Sequence, residues 1–122
     1  LTKNNTGLQL VIALNYGSRQ EITAAAQKFA TDVSTGVQKI EQLTPELFST
    51  YLETDKIPDP DLVIRTSGEQ RVSNFLLWQL AYAEFIFLPV LWPDFDGKCF
   101  DRAIDEFAGR ERRYGGLASA NG

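Results

Sequence analysis

The sequence predicts an α/β fold built on a parallel sheet, and three features carry that expectation. Two short apolar runs, Leu8–Leu14 and Leu62–Ile64, each break off in polar turn residues, as strands covered on both faces do. A third apolar run, Phe85–Leu88, stops at Pro89, which cannot continue a ladder. Between the first two, apolar residues recur at spacings of three and four, the stripe of a helix packed on a sheet.

The first strand, Leu8–Leu14, runs into the turn signal Asn15-Tyr16-Gly17-Ser18. From Arg19 to about Ser34 the positions Ile22, Ala25, Ala26, Phe29, Ala30 and Val33 form one helix face. Glu21 suits the positive end of that helix, and Gly36 suits its stop. Thr44-Pro45-Glu46 then marks a second helix start, with Thr as N-cap and Pro at the first helical position. That helix is expected to reach about Leu52, and a surface loop with Pro58 and Pro60 follows. After the second strand, Ser73 is a plausible N-cap, and Asn74 to about Ala83 is apolar enough for a buried helix. A last helix is expected from about Lys98 to Arg112, capped by Asp96, with Phe100, Ala103, Ile104, Phe107 and Ala108 as its stripe.

Composition narrows the function. The chain has 122 residues, 43% hydrophobic and 23% charged, in keeping with one soluble globular domain. A net charge of −4 argues against a nucleic-acid partner, which needs a basic face. With no histidine, imidazole acid–base chemistry and a Ser-His triad are excluded within this chain. A single cysteine, Cys99, permits no internal disulfide and fits a reducing, cytoplasmic compartment. Val72–Trp92 is greasy, but Asn74, Gln79, Glu84 and Pro89 interrupt it, which disfavours a membrane span and leaves peripheral association open.

The chemistry gathers after the second strand. Arg65, Thr66-Ser67-Gly68, Arg71 and Ser73 lie where a strand's carboxyl end gives way to a helix, the usual place for a ligand in an open α/β sheet. Two guanidinium forks and a helix N-terminus would suit a diphosphate. The competing reading pairs Arg65 and Arg71 with Glu69 and Asp61 as a solvated loop.

The string Asp61-Leu-Val-Ile-Arg-Thr-Ser-Gly-Glu-Gln-Arg-Val-Ser-Asn-Phe-Leu-Leu-Trp-Gln-Leu-Ala-Tyr-Ala-Glu84, followed by Leu91-Trp-Pro-Asp-Phe95, closely resembles the C-terminal half of the cis-prenyltransferases. Asn15-Tyr16-Gly17-Ser18-Arg19 and Arg110-Glu-Arg-Arg-Tyr-Gly-Gly116 resemble further motifs of that family, in the family's order. The resemblance implies the parallel-sheet fold of undecaprenyl diphosphate synthases, of which this chain would be the C-terminal portion of a single domain. It also implies condensation of isopentenyl diphosphate with an allylic prenyl diphosphate, lengthening the chain with Z double bonds. By the same resemblance, Arg65, Arg71, Ser73 and the backbone at Val72 hold the isopentenyl diphosphate, and Glu84 is the acidic residue associated with Mg²⁺.

A straight helix over 74–84 would set Glu84 about 15 Å from its start. A metal shared with a diphosphate at Ser73 then needs a bent helix, or a Glu84 supplied across a subunit interface. The bland reading of Glu84 is a carboxylate paired with an arginine or capping nearby N–H groups. Arg113-Tyr114-Gly115 resembles a signature that reaches the partner's site in family homodimers, and Asn15 and Arg19 resemble residues beside the active crevice. Family members also carry an Asp-Gly-Asn-Gly-Arg-type motif near their N-terminus, and residues 1–122 contain no match to it. The expectation is therefore a chain that is inactive alone, with a non-catalytic interaction subunit as the alternative.

Overall fold

The computed structural model describes residues 4–110. Helix α1 spans Ser18–Ser34, α2 spans Pro45–Ser49, strand β1 spans Leu62–Arg65, β2 spans Glu84–Phe87, and α3 spans Gly97–Ala108. Single 3-10 turns at Ile40–Gln42 and Trp92–Asp94 complete the regular structure. β1 and β2 pair in parallel, with Leu62 opposite Glu84 and Arg65 opposite Phe87. The pairing continues past the strands, because the N–H groups of Ser67 and Gly68 donate to the carbonyls of Val90 and Leu88 at 2.7 and 2.9 Å.

The helix ends follow local chemistry. Thr44 accepts from the Leu47 amide at 3.2 Å and starts α2. Asp96 accepts from the Cys99 amide at 2.9 Å and starts α3, as the sequence predicts. α1 stops before Gly36, whose φ of 78° lies in the left-handed region that glycine adopts freely. α1 packs Ala25 and Phe29 inward, Phe29 meets Tyr51 edge to face, and the Tyr51 hydroxyl donates to Asp32 at 2.7 Å. Behind the sheet, Ile86 is 2% exposed and Ala103 of α3 is buried, so the core is a small cluster around β2 and a second around α1.

Two expected elements are absent. Residues 8–14 form no strand, and Leu8 and Leu14 are 94% and 84% exposed. A strand needs a neighbour for its backbone groups, and the sheet among the described residues consists of β1 and β2 alone. Residues 74–83 form a succession of turns instead of a helix. Ser73, Asn74 and Leu76 have φ of 48°, 62° and 46°, which no right-handed helix contains, so Ser73 is not an N-cap. α2 is also shorter than expected and passes into turns after Ser49. Among the described residues, no helix is long and apolar enough to cross a membrane.

Candidate functional site

β1 delivers Arg65 to the end of the sheet, and the loop beyond it folds back over the same end. Arg65, Arg71 and Val72 line one pocket of about 150 Å³, whose remaining wall is apolar and includes Phe75, Leu80 and Phe85. Arg65, Arg71 and Val72 are thus brought to one pocket. Ser73 is exposed and adjoins the pocket without lining it. Arg71 is 67% exposed and pairs with Glu69, the contact that the solvated-loop reading anticipates.

The expected helix N-terminus does not form, so no row of free helical amides faces this pocket. The amides of Ser67, Gly68 and Phe75 are engaged by backbone carbonyls. What holds the loop instead is a set of bonds to the start of α1. The Ser18 amide donates to the Asn74 carbonyl at 2.8 Å, the Arg19 amide to Asn74 Oδ1 at 2.9 Å, and the Leu77 amide to Ser18 Oγ at 2.8 Å. Left-handed backbone at non-glycine residues costs about 1–3 kcal/mol each. Each bond returns about 1 kcal/mol net, so the turn and its anchor are of comparable size.

Beneath that anchor lies a buried polar cluster that no sequence motif singled out. Glu21 is buried and accepts from the Tyr16 hydroxyl, from the Glu53 amide at 2.9 Å, and from Gln79 Nε2 at 3.3 and 3.4 Å. Gln79 Nε2 also donates to Thr54 Oγ1 at 2.9 Å, while its Oε1 is buried with no partner. Burial, and then the carboxylate of Glu21, push the Tyr16 hydroxyl above its ordinary pKa. Ser18 Oγ accepts from the Leu77 amide and Glu21 from the Glu53 amide, so both side chains hold distant loops to the first turn of α1. Asn15 has a φ of 53° and belongs to the turn, and Arg19 serves the anchor through its backbone.

The family model of undecaprenyl diphosphate synthase matches residues 1–115 of this sequence. The chain belongs to that cis-prenyltransferase family. It is 57% identical over 118 residues to an isoprenyl transferase of Agrobacterium fabrum, covering 97% of this chain and 48% of the relative. It is 54% identical to a ditrans,polycis-undecaprenyl-diphosphate synthase, (2E,6E)-farnesyl-diphosphate specific, of Photorhabdus laumondii, covering 95% of this chain and 46% of the relative. Among solved structures it resembles lavandulyl diphosphate synthase from Lavandula x intermedia in complex with dimethylallyl diphosphate. There the TM-score is 0.82 at 42% identity, covering 84% of this chain and 44% of that one. The chain thus spans about half the length of the curated relatives it matches.

Family membership directs attention to Glu84 and Mg²⁺. Glu84 opens β2 opposite Leu62, three residues short of the level of Arg65, or about 10 Å along the strand. Its Oε2 accepts from Arg110 Nη1 at 3.0 Å, and the same nitrogen donates to the Phe85 carbonyl at 2.8 Å. Its bonds to Glu106 and Glu84 push the Arg110 guanidinium above its ordinary value. No cluster of three acidic, cysteine or histidine side chains occurs among the described residues. Glu84 could offer a hard dication one carboxylate at most, and that carboxylate is held by Arg110. Arg113, Tyr114 and Gly115 lie outside the described residues.

Proposed function

We propose that this chain is the C-terminal portion of a cis-prenyltransferase domain and supplies its isopentenyl diphosphate site. The observation that carries the reading is the convergence of Arg65, Arg71 and Val72 on one pocket with an apolar wall. The guanidinium groups bind the diphosphate by charge-assisted bonds, Ser73 closes the turn beside it, and Phe75 and Leu80 face the five-carbon unit. The co-substrate is an allylic prenyl diphosphate. A carbon–carbon bond forms as its carbon–oxygen bond breaks, diphosphate departs, and the isopentenyl unit loses a proton. The product is a Z-polyprenyl diphosphate.

Mg²⁺ belongs to this reading, with Glu84 as one ligand, and would offset charge on the departing diphosphate. The reading also includes a homodimer, a cytoplasmic place with contact at the membrane surface, and turnover only with the remaining half of the relatives' length. Isopentenyl diphosphate titrated calorimetrically should bind, and Arg71→Ala should weaken it by about tenfold or more, the worth of a charged hydrogen bond. Equal affinity in the two proteins would refute the site. A second reading, a non-catalytic interaction subunit, is favoured by the pairing of Arg71 with Glu69 and of Glu84 with Arg110. It predicts no isopentenyl diphosphate binding in the same titration.

A further inference from the structure

α1 begins behind Gly17, which has no side chain with which to cap it. Its first amides are met instead by a residue 55 positions away, since Asn74 takes the Arg19 amide on Oδ1 at 2.9 Å and the Ser18 amide on its carbonyl at 2.8 Å. Asn74 Nδ2 donates to Gln20 Oε1 at 3.1 Å, which fixes the orientation of the side chain. Gly17 eases this approach, because a Cβ there would lie 3.0 Å from Asn74 Nδ2 and would push the end of the Gln20 side chain aside. Asn74 therefore caps a helix in one part of the chain while sitting next to Ser73 in another.

The placement has a consequence for the pocket. Ser73 and Asn74 are consecutive left-handed residues, and they reverse the chain immediately after Arg71 and Val72 line the cavity. Asparagine tolerates that backbone more readily than serine does. We propose that Asn74 is a positioning residue, which clamps the Arg71–Ser73 turn to the start of α1 and so holds it in shape for a diphosphate. This rests on the diphosphate reading of that turn. The contribution lies in the geometry of the turn, since the side chain of Asn74 faces α1 and not the pocket.

The test uses steady-state kinetics in isopentenyl diphosphate and in the allylic substrate, on a chain extended to the full length of the relatives. Asn74→Gly keeps the left-handed backbone and the carbonyl that accepts from Ser18, and removes the side-chain half of the clamp, the bonds to Arg19 and Gln20. It should raise KM for isopentenyl diphosphate about tenfold, with KM for the allylic substrate unchanged. Asn74→Asp keeps the oxygen that accepts from Arg19 and should restore most of the loss. Gln20→Ala, at an exposed position of α1, leaves the helix intact and should raise the same KM about threefold. It remains informative if Asn74→Gly does not fold. A fall in kcat alone, or an unchanged KM in Gln20→Ala and Asn74→Gly, overturns the clamp. Arg71→Ala run alongside keeps the two inferences apart, because an unchanged KM there overturns the diphosphate reading itself.

Discussion

At Arg71 a competitor for any anionic ligand is already in place. Its guanidinium pairs with the carboxylate of Glu69, two residues away across an exposed turn. A diphosphate entering the pocket must displace that carboxylate or share the guanidinium with it. Pairs this exposed contribute about 0.2–1 kcal/mol, so the competition is mild. Glu69→Gln should therefore tighten binding of inorganic diphosphate by about two- to fivefold, read by isothermal titration at constant ionic strength. Weaker binding in that variant would mean that Glu69 orients Arg71 for the ligand instead of competing with it. The pairing at Glu84 differs in kind, because Arg110 also holds a β2 carbonyl and thereby ties the end of α3 to the sheet.

Among the elements, α3 shows most clearly how a cap connects sequence to stability. The bonds that Asp96 accepts at the first turn, led by the one from the Cys99 amide, hold its carboxyl below the ordinary aspartate value. A carboxyl whose pKa is lower in the folded state stabilises the fold above its unfolded pKa, near 3.9, and loses that contribution as pH falls through the folded value. The helical signal of α3 should thus hold from neutral pH to about 4 and fall below it. Asp96→Asn, which caps without titrating, should show no such fall when amide shifts in α3 are followed by NMR. Identical acid behaviour in both proteins would remove the cap from the account. This start was legible in the sequence, as were Thr44-Pro45 and the strand ending at Arg65, because each depends on residues within a few positions. The segment after Ser73 was not legible in that way. Its apolar composition suits a helix, but the bonds that reverse it come from Ser18 and Arg19, more than fifty residues earlier. The pocket itself was legible only in part: the arginines could be read from their spacing, while the turn that brings Arg71 over β1 depends on those distant bonds.

For the molecule as a whole, the apolar residues outnumber the places to bury them. The chain exposes 9884 Å², whereas a compact folded chain of 13.7 kDa exposes about 6,600 Å². Apolar side chains are among what is exposed: Leu8, Leu10, Ile12 and Leu14 stand in the open at alternate positions, and Leu91, Trp92 and Phe100 are exposed as well. The two-stranded sheet among the described residues is a weak nucleus. Apolar surface on this scale marks a face that another surface covers, in keeping with a chain spanning about half the length of its relatives. The 122-residue chain alone should accordingly bind an apolar fluorescent dye and self-associate in sedimentation velocity at micromolar concentration. Replacing Leu10 and Ile12 by lysine should reduce both, because the charges interrupt the exposed stripe without touching the buried clusters at Phe29 and Ile86. A wild-type chain that sediments as a monomer and leaves the dye dark would show that the segment is covered from within the chain, and residues 8–14 would then have to pack against one of its own faces.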